Sequence, residues 1–88
     1  MRESLIEKYL VQQVKALGGE VRKVKWLGRN NAPDRRVMLP TGCFWVELKA
    51  TGQVPTRAQQ REHERMRAMG EKVFVIDSTL QVNEVLGK

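Results

Sequence analysis

Apolar positions recur at helical spacing over residues 3 to 17. Leu5, Ile6, Tyr9, Leu10, Val14 and Leu17 form one side, and Glu3, Lys8, Gln12 and Lys15 the other. The spacing predicts a helix that Gly18-Gly19 stops, because glycine takes the left-handed conformation that ends helices. Residues 20 to 26, Glu-Val-Arg-Lys-Val-Lys-Trp, are rich in β-formers and predict a strand. Alternation sets Val21, Lys23 and Lys25 on one face and Arg22, Val24 and Trp26 on the other. Leu27 to Ala32 has loop composition. A strand over 34 to 39 follows, with Val37 and Leu39 on one face. Pro33 suits its beginning, where a missing N–H costs no ladder bond. Pro40-Thr41-Gly42 turns the chain, and residues 43 to 49 return as the second strand of a hairpin. Phe44, Val46 and Leu48 face one way, and Cys43, Trp45, Glu47 and Lys49 the other.

The second half repeats the two periodicities. Ala50 to Pro55 is a loop. Thr56-Arg57-Ala58-Gln59 matches a capping box and predicts a helix to about Met69, ended by Gly70. Ala58, Glu62, Met66 and Met69 mark one side of it. Lys72 to Ile76 is a nearly continuous apolar run, the pattern of a buried strand. Asp77 or Ser78 caps a last helix carrying Leu80, Val82, Val85 and Leu86. The predicted order is α-β-β-β-α-β-α, an α/β class with one mixed sheet covered by helices, in a single domain spanning residues 1–88. The strand-helix-strand passage from 43 to 76 suits a right-handed crossover between parallel strands.

Length and charge narrow the function. A chain of 88 residues buries a small share of its surface, and oligomerisation is a common remedy. No apolar run reaches the length of a membrane span. Glu3, Glu7 and Lys8 interrupt the apolar pattern where a signal peptide would need a continuous core, so the expected location is cytoplasmic. The net charge of +6 points to a polyanionic partner. Arg22, Lys23, Lys25, Arg29, Arg35 and Arg36 are the candidates for holding a nucleic-acid backbone, and Asn30 can donate to phosphate oxygens. An edge strand guarded by lysines gives the same pattern. Cys43 is the only cysteine and His63 the only histidine, which excludes an internal disulfide and a zinc cluster. His63, between Glu62 and Glu64, reads as a helix-surface or core-edge residue. Trp26 and Trp45 read as packing residues.

One constellation carries chemistry. Asp34 precedes the first hairpin strand, and Glu47 and Lys49 share a face of the second. Two carboxylates on neighbouring strands can supply oxygen ligands to Mg²⁺ or Mn²⁺, and the Leu48 carbonyl can supply a third. Such an ion polarises a phosphoryl oxygen and generates a nucleophile from water. Lys49 can steer that water or offset charge in the transition state. An ordinary surface salt bridge among the three residues accounts equally for their types.

The ordered motifs break this tie. Pro33-Asp34, a turn and Glu47-Leu48-Lys49 resemble the PD-(D/E)xK nuclease signature. The wider run resembles the virus-type replication-repair nuclease (VRR-NUC) domain. Glu7 in a helix ending Leu17-Gly18-Gly19 is similar to that family's first acidic residue, with Glu3 one turn away as the competing acid. Gly28-Arg29-Asn30-Asn31-Ala32-Pro33-Asp34-Arg35 resembles its glycine-rich loop, and Val46-Glu47-Leu48-Lys49-Ala50 its V-E-x-K-A strand. Thr56-Arg57-Ala58-Gln59 resembles its S/T-x-x-Q helix start, and Val73-Phe74-Val75-Ile76-Asp77 its last core strand.

The resemblance implies a restriction-endonuclease-like fold and Mg²⁺- or Mn²⁺-dependent hydrolysis of DNA phosphodiesters. It implies metal ligation by Asp34 and Glu47, an essential Lys49, and supporting roles for Glu7 (through water at the metal) and Gln59. It also implies a phage or bacterial homodimer acting on four-way junctions. A flap- or nick-directed nuclease, or a basic DNA-binding module without turnover, are the competing readings.

Overall fold

In the computed structural model, which describes all residues Met1–Lys88, a first helix α1 (Glu3–Ala16) turns Ile6, Leu10 and Val14 fully inward. Leu17 is its C-cap, and Gly18 follows at φ +83°. Gly19 then passes so close to the sheet that a Cβ there would lie 2.3 Å from the Met38 carbonyl oxygen. A glycine is required where backbone meets backbone this closely.

Three antiparallel strands come next: β1 (Glu20–Lys23), β2 (Arg35–Leu39) and β3 (Gly42–Leu48). Helix α2 (Arg57–Ala68) leads to β4 (Val73–Ile76), which pairs with β3 in parallel, and α3 (Thr79–Leu86) closes the chain. The sheet order is β1-β2-β3-β4. The expected α-β-β-β-α-β-α order and mixed sheet are therefore both present.

β1 is shorter than the expected 20 to 26. A further bond runs from Val24 N to the Asp34 carbonyl at 3.0 Å. Beyond that bond the two chains part, and residues 25 to 33 lie outside the sheet. Thr56 caps α2 with the full capping box, and Ser78 rather than Asp77 caps α3. Asp77 instead accepts a hydrogen bond from Gly52 N at 3.2 Å, tying down the loop after β3.

The register sorts the side chains into rows. Val21, Val37 and Phe44 form one row, and Lys23, Arg35, Val46 and Phe74 another on the same face. This face lies under α1 and α3, and its core is Ile6, Leu10, Val14, Val37, Phe44, Val46, Leu48, Ile76 and Val82. The opposite face carries the row Arg22, Arg36, Trp45 and Val73. Helix α2 covers part of it with Glu62, His63 and Met66. Glu47 belongs to that second face, opposite Val75.

Candidate active site

Asp34 stands one step before β2. Continuing the Arg35–Val46 pairing by one residue sets it across from Glu47. Its Oδ1 accepts a hydrogen bond from the Leu48 backbone N–H at 3.1 Å. The two carboxylates are thus neighbours at the end of the β2–β3 ladder, as the hairpin reading expected. Lys49 extends the alternation past β3, and its Nζ lies 3.8 Å from Glu47 Oε2. Glu47 is buried at 4% exposure.

The backbone at Leu48 is also turned toward the site. Trp45 N and Lys49 N both donate toward β4, to Lys72 O and Ile76 O. Leu48 lies between in the alternation, so its amide and carbonyl point toward β2. The residue opposite is Pro33, which has no donor for that carbonyl.

The electrostatics are those of crowded acids. Burial, then the charge of Asp34, pushes the Glu47 carboxyl up to about 7, against the pull of Lys49 and Arg35. Burial also raises Asp34, partly offset by the Leu48 N–H. The charge of Glu3 adds to the rise at both acids. Of the two helical acids, Glu7 is held by Arg35, which binds it in a close ion pair. The same guanidinium donates to the Asp34 carbonyl oxygen at 2.9 Å. Arg35 therefore bridges Glu7 to the Asp34 segment.

This arrangement corrects the expectation for Arg35. At 6% exposure it lies under α1 and is closed to a DNA backbone. Three other predicted contacts are partly engaged inside the protein. Arg29 donates through Nε and Nη2 to Glu62 Oε1, at 3.2 and 2.6 Å. Arg36 stacks on Trp45, 4.7 Å from the ring centroid, and faces Glu71 at 3.6 Å. Arg22 pairs with Glu20 on the same strand. Lys23, Lys25 and Asn30 are exposed. Trp26 and Trp45 meet edge to face at 6.1 Å, a packing contact.

Gln59 spends its side-chain oxygen on the cap, accepting from Thr56 N at 2.9 Å. One turn on, His63 departs from the surface or core-edge reading. It is 1% exposed, and its Nε2 faces Glu47 Oε1 at 3.7 Å. Burial lowers its pKa, with the Arg67 charge adding to the effect. The sequence signal was its spacing: His63 follows Gln59 by four and precedes Met66 by three, along the buried side of α2.

Comparison with known proteins adds the lineage. A solved structure described as a VRR_NUC domain superposes with a TM-score of 0.89 at 40% sequence identity, covering 99% of this chain and 97% of that one. The chain belongs to the VRR-NUC family. A phage protein named "Putative nuclease p44", from Acyrthosiphon pisum secondary endosymbiont phage 1, is 48% identical over 79 residues, 89% of this chain and 85% of its own length. No family sequence model matches the chain. This VRR-NUC chain is accordingly a nuclease by kinship, on the mixed sheet and helices expected for that fold.

The donors around Asp34 and Glu47 are few and all oxygen. No group of three or more His, Cys, Asp or Glu side chains forms a cage. The chain offers two carboxylates and a free-facing carbonyl, all oxygen. That suits Mg²⁺ or Mn²⁺, which are held by one or two carboxylates and keep several waters. Burial raises both acids and the Asp34 charge raises Glu47 further, a penalty that a divalent ion reverses.

Proposed function

We propose that this VRR-NUC protein is a divalent-metal-dependent endonuclease that hydrolyses phosphodiester bonds in branched DNA. The observation that carries the reading is the bond from Leu48 N–H to Asp34 Oδ1, which holds Asp34 beside the buried Glu47. Asp34, Glu47 and the Leu48 carbonyl hold Mg²⁺ or Mn²⁺. When bound, such an ion polarises the phosphoryl oxygen and makes hydroxide available from water. Lys49, at the exposed side of Glu47, sets a positive charge against the negative charge growing on the phosphate. Glu7, through its pair with Arg35, fixes the Asp34 segment. Gln59 holds the start of α2 over the same face.

Lys23, Lys25, Asn30 and the outer parts of Arg22 and Arg29 hold the DNA backbone electrostatically, so affinity falls steeply with salt. A homodimer supplies the two-fold symmetry that a four-way junction presents. Leu27, Val54 and Met69 are exposed apolar side chains in keeping with a further contact surface.

The test is cleavage of a labelled four-way junction, beside flap, nicked and linear duplexes, with Mn²⁺, Mg²⁺ or EDTA. Metal-dependent cutting of the junction is expected. Preferential cutting of flaps or nicks redirects the substrate, and binding without cutting in any metal makes the chain a DNA-binding module. Sedimentation of the free protein as a monomer at every concentration removes the dimer.

A further inference from the structure

His63 has no place in the machinery described so far, yet it is one half of the least satisfied contact in the molecule. Glu47 Oε1 and His63 Nε2 are the two buried side-chain polar atoms without a hydrogen-bond partner. Other buried charges are satisfied. Arg35 has Glu7 and a carbonyl, and Glu62 has Arg29 and Arg65. Bare buried polar atoms are costly, and each one in a native structure needs a reason such as catalysis or an ion.

These two atoms are complementary. A carboxylate oxygen accepts, and a neutral imidazole can carry its proton on Nε2 and donate. They face each other at 3.7 Å, too long for a formed hydrogen bond. Closing the gap needs a small rotation of either side chain. The other Glu47 oxygen, Oε2, faces Lys49 and the open side of the site. No other side chain donates a hydrogen bond to Oε1.

We propose that His63 is a positioning residue for Glu47. Its Nε2–H closes onto Oε1 when the carboxylate takes up its ligand, and so presents Oε2 outward in a fixed orientation. The inference rests on the function proposed above, because orientation matters only if Glu47 holds a cation. The physical reason is general. A partner hydrogen-bonded to a ligating carboxylate fixes its direction, and loss of such a partner weakens metal affinity about 10- to 100-fold.

A histidine that merely fills space would tolerate an apolar replacement, and this separates the two roles. The experiment compares the parent, His63→Leu and His63→Gln by thermal unfolding, by Mn²⁺ calorimetry without DNA, and by junction cleavage across Mn²⁺ concentrations. His63→Leu is expected to bind Mn²⁺ about 10- to 100-fold more weakly and to need that much more Mn²⁺ for half-maximal cleavage. His63→Gln, which keeps a donor, is expected to recover a large part of the affinity. Parent-like Mn²⁺ affinity in His63→Leu overturns the proposal, and so does equal loss in both variants.

A second measurement stands apart from metal and turnover. In the ¹⁵N spectrum of the unaltered protein, His63 is expected as the Nε2–H tautomer, with a resonance that moves in Glu47→Ala. An Nδ1–H tautomer overturns the proposal even if both variants fail to fold. If the parent binds no Mn²⁺ while the tautomer is as expected, the metal reading of Asp34 and Glu47 fails and the His63–Glu47 contact stands.

Discussion

Asp34 and Leu48, fourteen residues apart, are joined by a 3.1 Å hydrogen bond from the Leu48 backbone N–H to Asp34 Oδ1. That bond anchors one carboxylate on the strand that carries the other. Asp34→Asn, Glu47→Gln and Lys49→Ala are each expected to lower junction cleavage by at least ~10²-fold while far-ultraviolet circular dichroism is kept. Parent-like cleavage by all three would falsify the assigned site.

The pH dependence of stability follows from Glu47. Its folded pKa of about 7 lies above the ordinary 4.5. Between those values the folded state holds a proton that the unfolded state has released. Stability therefore falls as pH rises through this window, by roughly 3 kcal/mol at most for this group. Denaturant unfolding without metal at pH 5, 6, 7 and 8 should show the decline. Glu47→Gln should flatten it, and an equally steep variant would assign the decline to other groups.

Divalent cations should act in the opposite direction. Mn²⁺ at about 100 times its dissociation constant adds ~2.7 kcal/mol to a protein that binds it only when folded. The gain should be absent when Asp34→Asn and Glu47→Gln are combined. Melting curves with Mn²⁺ and with EDTA check this, and an unchanged gain in the double variant places the ion elsewhere.

Arg35 and the exposed lysines should separate cleanly. Arg35→Ala breaks a pair in which Arg35 is buried and Glu7 keeps about a third of its exposure. A loss of roughly 2–3 kcal/mol is expected, below the fully buried range because of that exposure. Lys23→Ala with Lys25→Ala should leave stability unchanged and reduce the salt slope of DNA binding by about 2. Urea midpoints and binding titrations at several salt concentrations decide between the two kinds of role.

The loop before Asp34 is pinned through Glu62, which accepts from both Arg29 and Arg65. Glu62→Ala should free Arg29, and trypsin should then cut after it several-fold faster in the folded protein. Unchanged cutting would mean that this contact does not hold the loop.

Much of this molecule was legible along the chain because its determinants are local. The two periodicities, the capping box at Thr56 and the glycines after α1 set all seven elements in order. Strand alternation alone put Glu47 and Lys49 on one face. It also put Arg35 on the face of Val37 and Leu39, the side on which β2 is buried. The motif resemblance then carried the family, which the close structural relative supports.

Other features depended on which element lies over which. The sequence had Asp34 and Glu47 as residues of suitable type. Only the antiparallel register, continued one step past Arg35 and Val46, made them neighbours. Helical periodicity placed His63 near Met66 without saying what α2 would cover. The parallel crossover from β3 to β4 laid that face on Glu47 and buried both side chains. Burial is what raises the Glu47 pKa and leaves two polar atoms facing each other unpaired. Local propensity and alternation are properties of neighbours in sequence, so the chain alone determined the elements and the faces. Desolvation and pairing between distant carboxylates, a histidine and an arginine are properties of the packed whole, and only the tertiary structure decided them.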